Sequence, residues 1–139
     1  MIKDVWVKIT GHQTGPDGTE DVNEQEFPAQ YFNKNNFHYI ISENERLAKS
    51  ERYKFNHRFL EVIRDGDTFS KLTFDAGKMC RTNYKTPYGR MEFTFDTHQI
   101  TLNDSPEEIR IEINYEMLHN EKSVSTNRTI LVITPNPST

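Results

Sequence analysis

The feature that most constrains the fold of this chain is a strict alternation of apolar and polar side chains from Glu108 to Met117. The apolar positions are Ile109, Ile111, Ile113, Tyr115 and Met117, and the polar positions between them are Arg110, Glu112, Asn114 and Glu116. A period of two places successive side chains on opposite faces of a β-strand. The pattern therefore predicts a strand with one face in a core and the other face in water.

Shorter stretches repeat this pattern, and turn-forming segments that contain Gly or Asn separate them. We predict strands near residues 2 to 13, 19 to 27, 29 to 33, 37 to 42, 53 to 64 with a break near His57, 67 to 75, 78 to 86, 89 to 97, 107 to 118 and 122 to 134. The segment 42–51 is predicted to be a wide loop or a single helical turn, because it has almost no apolar face. Many consecutive antiparallel strands indicate an all-β sandwich or a meandering barrel. Closure into a barrel is favoured, since it removes exposed strand edges.

Three segments of the chain resemble the YwiB family of small bacterial β-barrel proteins. They are Ile-Arg-Asp-Gly at 63–66, Phe-Asp-Ala-Gly-Lys at 74–78 and Asn-Tyr-Lys-Thr-Pro-Tyr-Gly at 83–89. The resemblance covers nearly the whole chain, and Thr-Pro-Tyr-Gly is its most specific element. It implies a single antiparallel, meandering, lipocalin-like (calycin-like) β-barrel of about eight to ten strands, from Gram-positive bacteria, with no established activity. No catalytic residue is carried over, because none is defined for that family.

The size and charge of the chain limit the classes of function. With 139 residues, the chain is predicted to form one barrel domain over residues 1–134, followed by a short flexible tail at 135–139. The chain has 17 Lys and Arg against 21 Asp and Glu, a net charge of −4. It therefore lacks the basic excess that binds nucleic acid. No apolar run approaches the roughly 20 residues that span a bilayer, so no membrane partner is expected.

The compartment is predicted from the N-terminus and from the single cysteine. Charged residues interrupt the first ten positions, whereas a secretory signal needs a continuous apolar stretch. Cys80 is the only cysteine, so no intrachain disulfide can form. We therefore expect a cytoplasmic protein. A half-buried structural role for Cys80 is favoured over a nucleophilic one, because no motif supplies a partner base.

Two arginines are candidate ligand-binding residues. Arg64 shares the strand parity of Val62, and Arg128 shares that of Ile130, so both are predicted to point into the barrel. A desolvated guanidinium needs an acceptor, and a bound carboxylate or phosphate would supply one. The favoured alternative is that Arg64 closes one barrel end by binding strand carbonyls, or pairs with an acid such as Glu92.

Tyr84, Thr86 and Tyr88 surround Pro87 and form a predicted corner between two strands. These side chains are candidates for the mouth of a pocket, since tyrosine has an apolar body and a polar tip. The more common role of such a corner is a packed turn that fixes the register of its neighbours. The two roles are compatible.

Trp6 is a candidate interface residue. Its parity is opposite to that of Val5, Val7 and Ile9, which places it on the outer face of its strand. An exposed Trp is a plausible anchor for a partner or for a second copy of the chain. The alternative is that the loop at 42–51 or a neighbouring strand covers it.

Signatures of known enzymes and metal sites are absent from the sequence. The histidines are scattered, and we favour surface or turn positions for them over a metal cluster. They are His12, His38, His57, His98 and His119. No metal and no cofactor is predicted. Catalytic activity is left open, with a non-enzymatic role favoured.

The leading hypothesis is thus a cytoplasmic barrel that binds a small, partly apolar ligand, with an anion as one option. The lumen of an eight-stranded barrel is near the size at which side chains either fill it or leave space for one small ligand. The alternative is a protein-interaction or scaffold domain with a filled barrel. The expected assembly is a monomer or a weak homodimer.

Overall fold

A computed structural model describes most of the chain as antiparallel β-strands. The described residues are 3–44, 46, 48–67, 69–86 and 89–137. The strands are β1 (Lys3–Thr14), β2 (Glu20–Lys34), β3 (Phe37–Asn44), β4 (Lys49–Phe55), β5 (Phe59–Asp65), β6 (Phe69–Asp75), β7 (Met79–Thr86), β8 (Gly89–Asp104), β9 (Ile109–His119) and β10 (Lys122–Pro135). The described residues contain no α-helix. The predicted all-β class is confirmed.

The strands form one 10-stranded antiparallel sheet that curls into a nearly closed, lipocalin-like barrel. The order is β6-β5-β4-β3-β2-β1-β10-β9-β8-β7. The first strand, β1, therefore pairs with both β2 and the last strand, β10, and β6 and β7 lie at the edges of the sheet. These two edges meet across a seam, where the Thr82 hydroxyl donates a hydrogen bond to the Lys71 carbonyl. The meandering barrel predicted from the sequence is confirmed.

Asparagine-containing hairpins connect β2 to β3 and β9 to β10. Asn35 and Asn36 form the two-residue loop between β2 and β3 with φ of 53° and 66°. Asn120 and Glu121 connect β9 to β10 with φ of 52° and 64°. Two successive positive φ values define the tight turn whose twist matches that of the flanking strands.

Three predictions about element boundaries differ from the structure. The segment 42–51, predicted to be a loop or a helical turn, contributes residues 42–44 to β3 and 49–51 to β4, which pair with each other. The strands predicted at 19–27 and 29–33 are one strand, β2, which runs through Pro28. Pro28 keeps the pairing with β1 intact, because its missing N–H lies on the side away from β1. The strand predicted at 89–97 continues to Asp104 as β8, with a bulge at His98. A bulge swaps which residues face inward, so a search for strict alternation ends there.

The inner face of the barrel divides into two parts. The packed half is filled by buried apolar side chains: Val7, Ile40, Phe55, Leu60, Phe74, Phe95, Ile111, Ile113, Leu131 and Ile133. The polar half carries inward-facing polar side chains: Glu51, Arg64, Thr97, Tyr115, Ser125 and Asn127. The packed half supplies the hydrophobic core, and the polar half is the candidate site.

Candidate binding site in the lumen

Arg64 faces the lumen, as its parity predicts. Leu60 and Val62, on the same face of β5, are 2% and 4% exposed. The side chain of Arg64 is nevertheless 43% exposed. Arg64 is the last residue but one of β5, so its side chain reaches solvent at this end of the barrel. The polar half is therefore accessible to solvent at Arg64.

Arg64 is paired with Glu51 rather than with Glu92. Glu51 lies opposite Arg64 in the β4–β5 register, and Arg64 Nε is 3.8 Å from Glu51 Oε1. This distance exceeds that of a hydrogen bond, so the ion pair is loose. Glu51 also accepts a hydrogen bond of 2.5 Å from the hydroxyl of Tyr53. Burial is the largest cause that raises the pKa of Tyr53, and the bond to Glu51 adds to it. The phenol of Tyr53 therefore stays protonated and donates its hydrogen bond to Glu51.

A second polar group faces Arg64 across the lumen. Tyr115 lies next to Asn127 in the β9–β10 register, and burial raises the pKa of its phenol, which the positive charge of Arg64 partly offsets. Asn127 Nδ2 donates a 2.9 Å hydrogen bond to Ser125 Oγ, and both side chains are buried. Beside them, Thr97 is 0% exposed, and its Oγ1 has no hydrogen-bond partner among the described residues. Buried polar groups normally have a hydrogen-bond partner, so the hydroxyl of Thr97 is an exception.

Arg128 does not point into the lumen, so that prediction is wrong. Its neighbours Asn127 and Leu131 are the buried, inward-facing residues of β10, and Arg128 lies on the outer wall. There its Nη2 donates a 3.0 Å hydrogen bond to Glu112 Oε1. The residues from Ile130 to Ile133 are all apolar, so alternation could not separate the two faces. Arg64 therefore lies on the inner face of the barrel wall, and Arg128 lies on its outer face.

The predicted corner residues fall at the limit of what the structure describes. Tyr88 lies outside the described residues, and Tyr84 and Thr86 are described by their backbone alone, at the end of β7. Their proposed place at a pocket mouth stays a prediction.

Trp6 lies on the outer wall, as its parity predicts, and it is half-buried there. Its Nε1 donates a 3.0 Å hydrogen bond to Glu26 Oε1 on the neighbouring strand β2. It is placed opposite Pro28 on β2 and Thr134 on β10. A role for Trp6 in an interface stays a prediction.

A third polar group, which sequence reasoning missed, lies at the other end of the barrel. His38 is buried, and its Nδ1 is 2.7 Å from the hydroxyl of Tyr31. Its Nε2 is 3.9 Å from Asp104 Oδ2. Burial is the main cause that lowers the pKa of His38. Tyr31 and Asp104 also line an open cavity of about 450 Å³, and Ile133 of the packed half forms part of its wall. The sequence could have placed His38 inside the barrel, because His38 shares its strand parity with Ile40.

The described side chains offer donors and acceptors rather than an activated nucleophile. Burial is the largest cause that raises the pKa of the Cys80 thiol, which keeps it protonated. Among the described residues, no group of three or more His, Cys, Asp or Glu side chains is arranged to hold a metal ion. The site is suited to binding a molecule through hydrogen bonds and charge. Within the described ranges, no helix is long and apolar enough to cross a membrane.

Comparisons with known proteins agree with this architecture. The family described as "Domain of unknown function (DUF1934)" matches residues 7–131 of the chain. The crystal structure of the ywiB protein from Bacillus subtilis is similar, with a TM-score of 0.82 and 20% sequence identity over 97% of this chain and 93% of that chain. At this identity the likeness establishes the fold. No curated protein matches the sequence.

Proposed function

Because the chain belongs to the DUF1934 family, whose description leaves the function open, we propose from its own geometry that it binds a small, partly apolar anion in the polar half of the lumen. The observation that carries the proposal is Arg64. Its guanidinium faces inward and is solvent-accessible, and its ion pair with Glu51 is loose. A carboxylate, sulfonate or phosphate is the chemistry that a guanidinium fork recognises best.

The surroundings of Arg64 suit a ligand with an apolar body. The aromatic ring of Tyr115 lies 4.7 Å from that of Phe74 and 5.4 Å from that of Phe95, measured between centroids. These rings separate the polar half from the packed half. A ligand that enters from the open end would place its apolar part against this aromatic floor and its anionic group beside Arg64. Ligand sites in proteins combine such apolar walls with a few polar groups.

We propose binding rather than catalysis, in the cytoplasm. The pKa values of Tyr53, Tyr115 and Cys80 are raised, which holds these groups protonated, and a nucleophile needs the opposite shift. The fold uses no disulfide, since Cys80 is the single cysteine, and this suits a reducing compartment.

The test uses two fluorescent probes that share one scaffold. Anilinonaphthalene sulfonate carries an anion, and N-phenyl-1-naphthylamine is its neutral counterpart. We expect the folded protein to bind the sulfonate with one-to-one stoichiometry and more tightly than the neutral probe. Arg64→Gln should weaken sulfonate binding about tenfold or more and leave the neutral probe unchanged, since a hydrogen bond to a charged group contributes about 1.5–3 kcal/mol.

Arg128→Gln is the matched control, because it removes the same charge from the outer wall. It should leave both probes unaffected. Glu51→Gln should tighten sulfonate binding, because it removes the carboxylate that competes for Arg64. Equal sulfonate affinity in wild type and Arg64→Gln would overturn the proposal, as would equal losses in Arg64→Gln and Arg128→Gln.

A further inference from the structure

Strand β2 has a free edge over more than half of its length. It pairs with β1 from Glu20 to Tyr31, whereas its pairing with β3 covers only Gln30 to Lys34. In the part of the chain that the structure describes, no strand pairs with Glu20–Ala29 on the side away from β1. We call residues 20–28 on this side the β2 edge. An unpaired edge presents a row of backbone donors and acceptors to another chain.

The hairpin and the proline identify which backbone groups point outward from the β2 edge. Lys34 and Phe37 flank the two-residue turn and so face each other. Successive residues of a strand point their backbone N–H and C=O groups to opposite neighbours. In β2, the backbone groups of the even-numbered residues therefore point towards β3 or towards the free edge. Pro28 occupies such a position, where its missing N–H leaves no gap in the β1 ladder. The donors that point outward thus include the N–H groups of Val22, Glu24 and Glu26.

The side chains along the β2 edge are acidic. Glu20, Asp21, Glu24 and Glu26 are exposed, and neither Lys nor Arg lies among residues 20–28. Pairing two copies of this edge would place like charges opposite one another, which is destabilising. The same acids favour a partner strand that carries Lys or Arg. Charge therefore selects against a second copy of this chain and in favour of a basic segment.

Trp6 borders the same surface. Its indole donates to Glu26 and lies opposite Pro28, on the outer face where Glu24 and Glu26 also project. A strand added at the β2 edge would place its own side chains beside Glu26, the hydrogen-bond partner of this half-buried ring. Because the chain has 1 Trp, its fluorescence reports on the indole that bonds to Glu26.

We propose that the β2 edge binds an extended, basic peptide segment of a partner protein as an additional strand of the sheet. The backbone of Val22, Glu24 and Glu26 supplies the pairing, and the acidic side chains of the edge supply the preference for Lys and Arg. This mode of recognition combines main-chain hydrogen bonds for affinity with alternate side chains for specificity. It is independent of ligand binding in the lumen.

The experiment titrates the full-length protein with the peptide acetyl-Val-Lys-Val-Lys-Val-Lys-Val-amide. We expect saturable binding that shifts the emission of Trp6 and weakens with salt. Amide exchange then locates the peptide. When about nine-tenths of the protein is bound, exchange at Val22, Glu24 and Glu26 should slow about tenfold, by mass action. The odd-numbered amides face β1 and should already be slow in the free protein.

Two matched controls separate strand pairing from adsorption by charge. A peptide of the same sequence with alternate amides N-methylated keeps every Lys but cannot complete the ladder, so it should bind at least about tenfold more weakly. The variant Glu24→Lys/Glu26→Lys should show a similar loss for the unmodified peptide. Glu107→Lys, an exposed acid beyond the end of β8, should bind the peptide as wild type does.

Several results would overturn the proposal. Equal binding of the methylated and unmodified peptides would leave only electrostatic adsorption. Slow exchange at Val22, Glu24 and Glu26 in a peptide-free dimer would make a second copy the occupant. Absence of saturable binding, or slowed exchange elsewhere on the barrel, would also rule out the β2 edge.

Discussion

The packed half and the polar half of the lumen are built on the same strands, but the packed half excludes water and the polar half is accessible to it. In the packed half, Phe55, Leu60 and Ile111 are almost fully buried and exclude water. In the polar half, Arg64 continues the inward-facing row of β5 and is half exposed. The backbone geometry is shared, so the difference lies in side-chain type alone. A barrel of this size can leave one end open because the other end supplies the core.

The largest expected effect tests whether the packed half carries the stability of the barrel. Phe95 is 1% exposed, and its ring stacks on Phe74 at 4.8 Å between centroids. Phe95→Ala should lower the free energy of unfolding by about 3–5 kcal/mol, because it removes buried apolar area and leaves a cavity. Chemical denaturation measures the change. Phe69→Ala, which truncates a ring that is 58% exposed, is the control and should cost less than about 0.5 kcal/mol. Similar losses in the two variants would contradict the division into halves.

The packed half was more predictable from the sequence than the polar half, for a physical reason. Strict alternation identified β9 and its inward-facing Ile111 and Ile113, since only a buried face requires apolar residues at every second position. Arg64 could be placed because β5 contains no bulge. Arg128 could not, because the apolar run beside it satisfies both parities and β10 shifts register at its start.

The contacts within the polar half depend on register, which alternation does not determine. Glu51 meets Arg64 only because β4 and β5 turn at residues 56–58, whereas the sequence indicated a single interrupted strand over 53–64. The bulge at His98 likewise sets which residue of β8 faces Tyr115. Cross-strand neighbours follow from turn length, and a shift of one residue reverses every side chain.

The next prediction concerns the buried hydroxyl of Thr97 in the polar half. Thr97→Val keeps the shape of the side chain and removes a hydroxyl that is 0% exposed and has no partner in the described part of the chain. We expect the free energy of unfolding to rise by about 1–2 kcal/mol, because an unsatisfied buried polar group carries its full desolvation cost. Ser125→Ala is the comparison, since it breaks the bond from Asn127 and should destabilise by about 1 kcal/mol. A loss of stability in Thr97→Val would show that the hydroxyl has a partner.

A third prediction uses the buried histidine at the end of the barrel away from Arg64. His38 is packed against Phe55, with Tyr31, Asp104 and His57 as the polar groups that face it. Its pKa in the folded state is below the ordinary value of 6.5, mainly because burial disfavours the charged ring. Below about pH 6.5 the unfolded chain therefore binds a proton that the folded chain does not, and the free energy of unfolding falls as the pH drops towards the folded pKa.

Replacing the ring isolates this contribution. His38→Gln should remove that part of the acid destabilisation, so its stability should vary less with pH than that of wild type below about pH 6.5. Urea denaturation at a series of pH values measures the slope, which is independent of the fixed cost of the substitution. His98→Gln, at the exposed bulge of β8, controls for the loss of a histidine in general. An unchanged slope in His38→Gln would show that the burial of this ring does not set the pH dependence.

The smallest expected effect is the most informative about the polar half. Arg64→Gln should change the free energy of unfolding by only about 0–1 kcal/mol, because a half-exposed ion pair at 3.8 Å is screened by solvent. If Arg64 instead closed the barrel as a structural cap, its loss would leave the carboxylate of Glu51 without its positive partner and would cost several kcal/mol. Parallel denaturation of Arg64→Gln and Arg128→Gln distinguishes the two cases. A small, equal loss in both variants, together with loss of anion binding in Arg64→Gln alone, would mean that the inward arginine is retained for a ligand, because the fold does not need it.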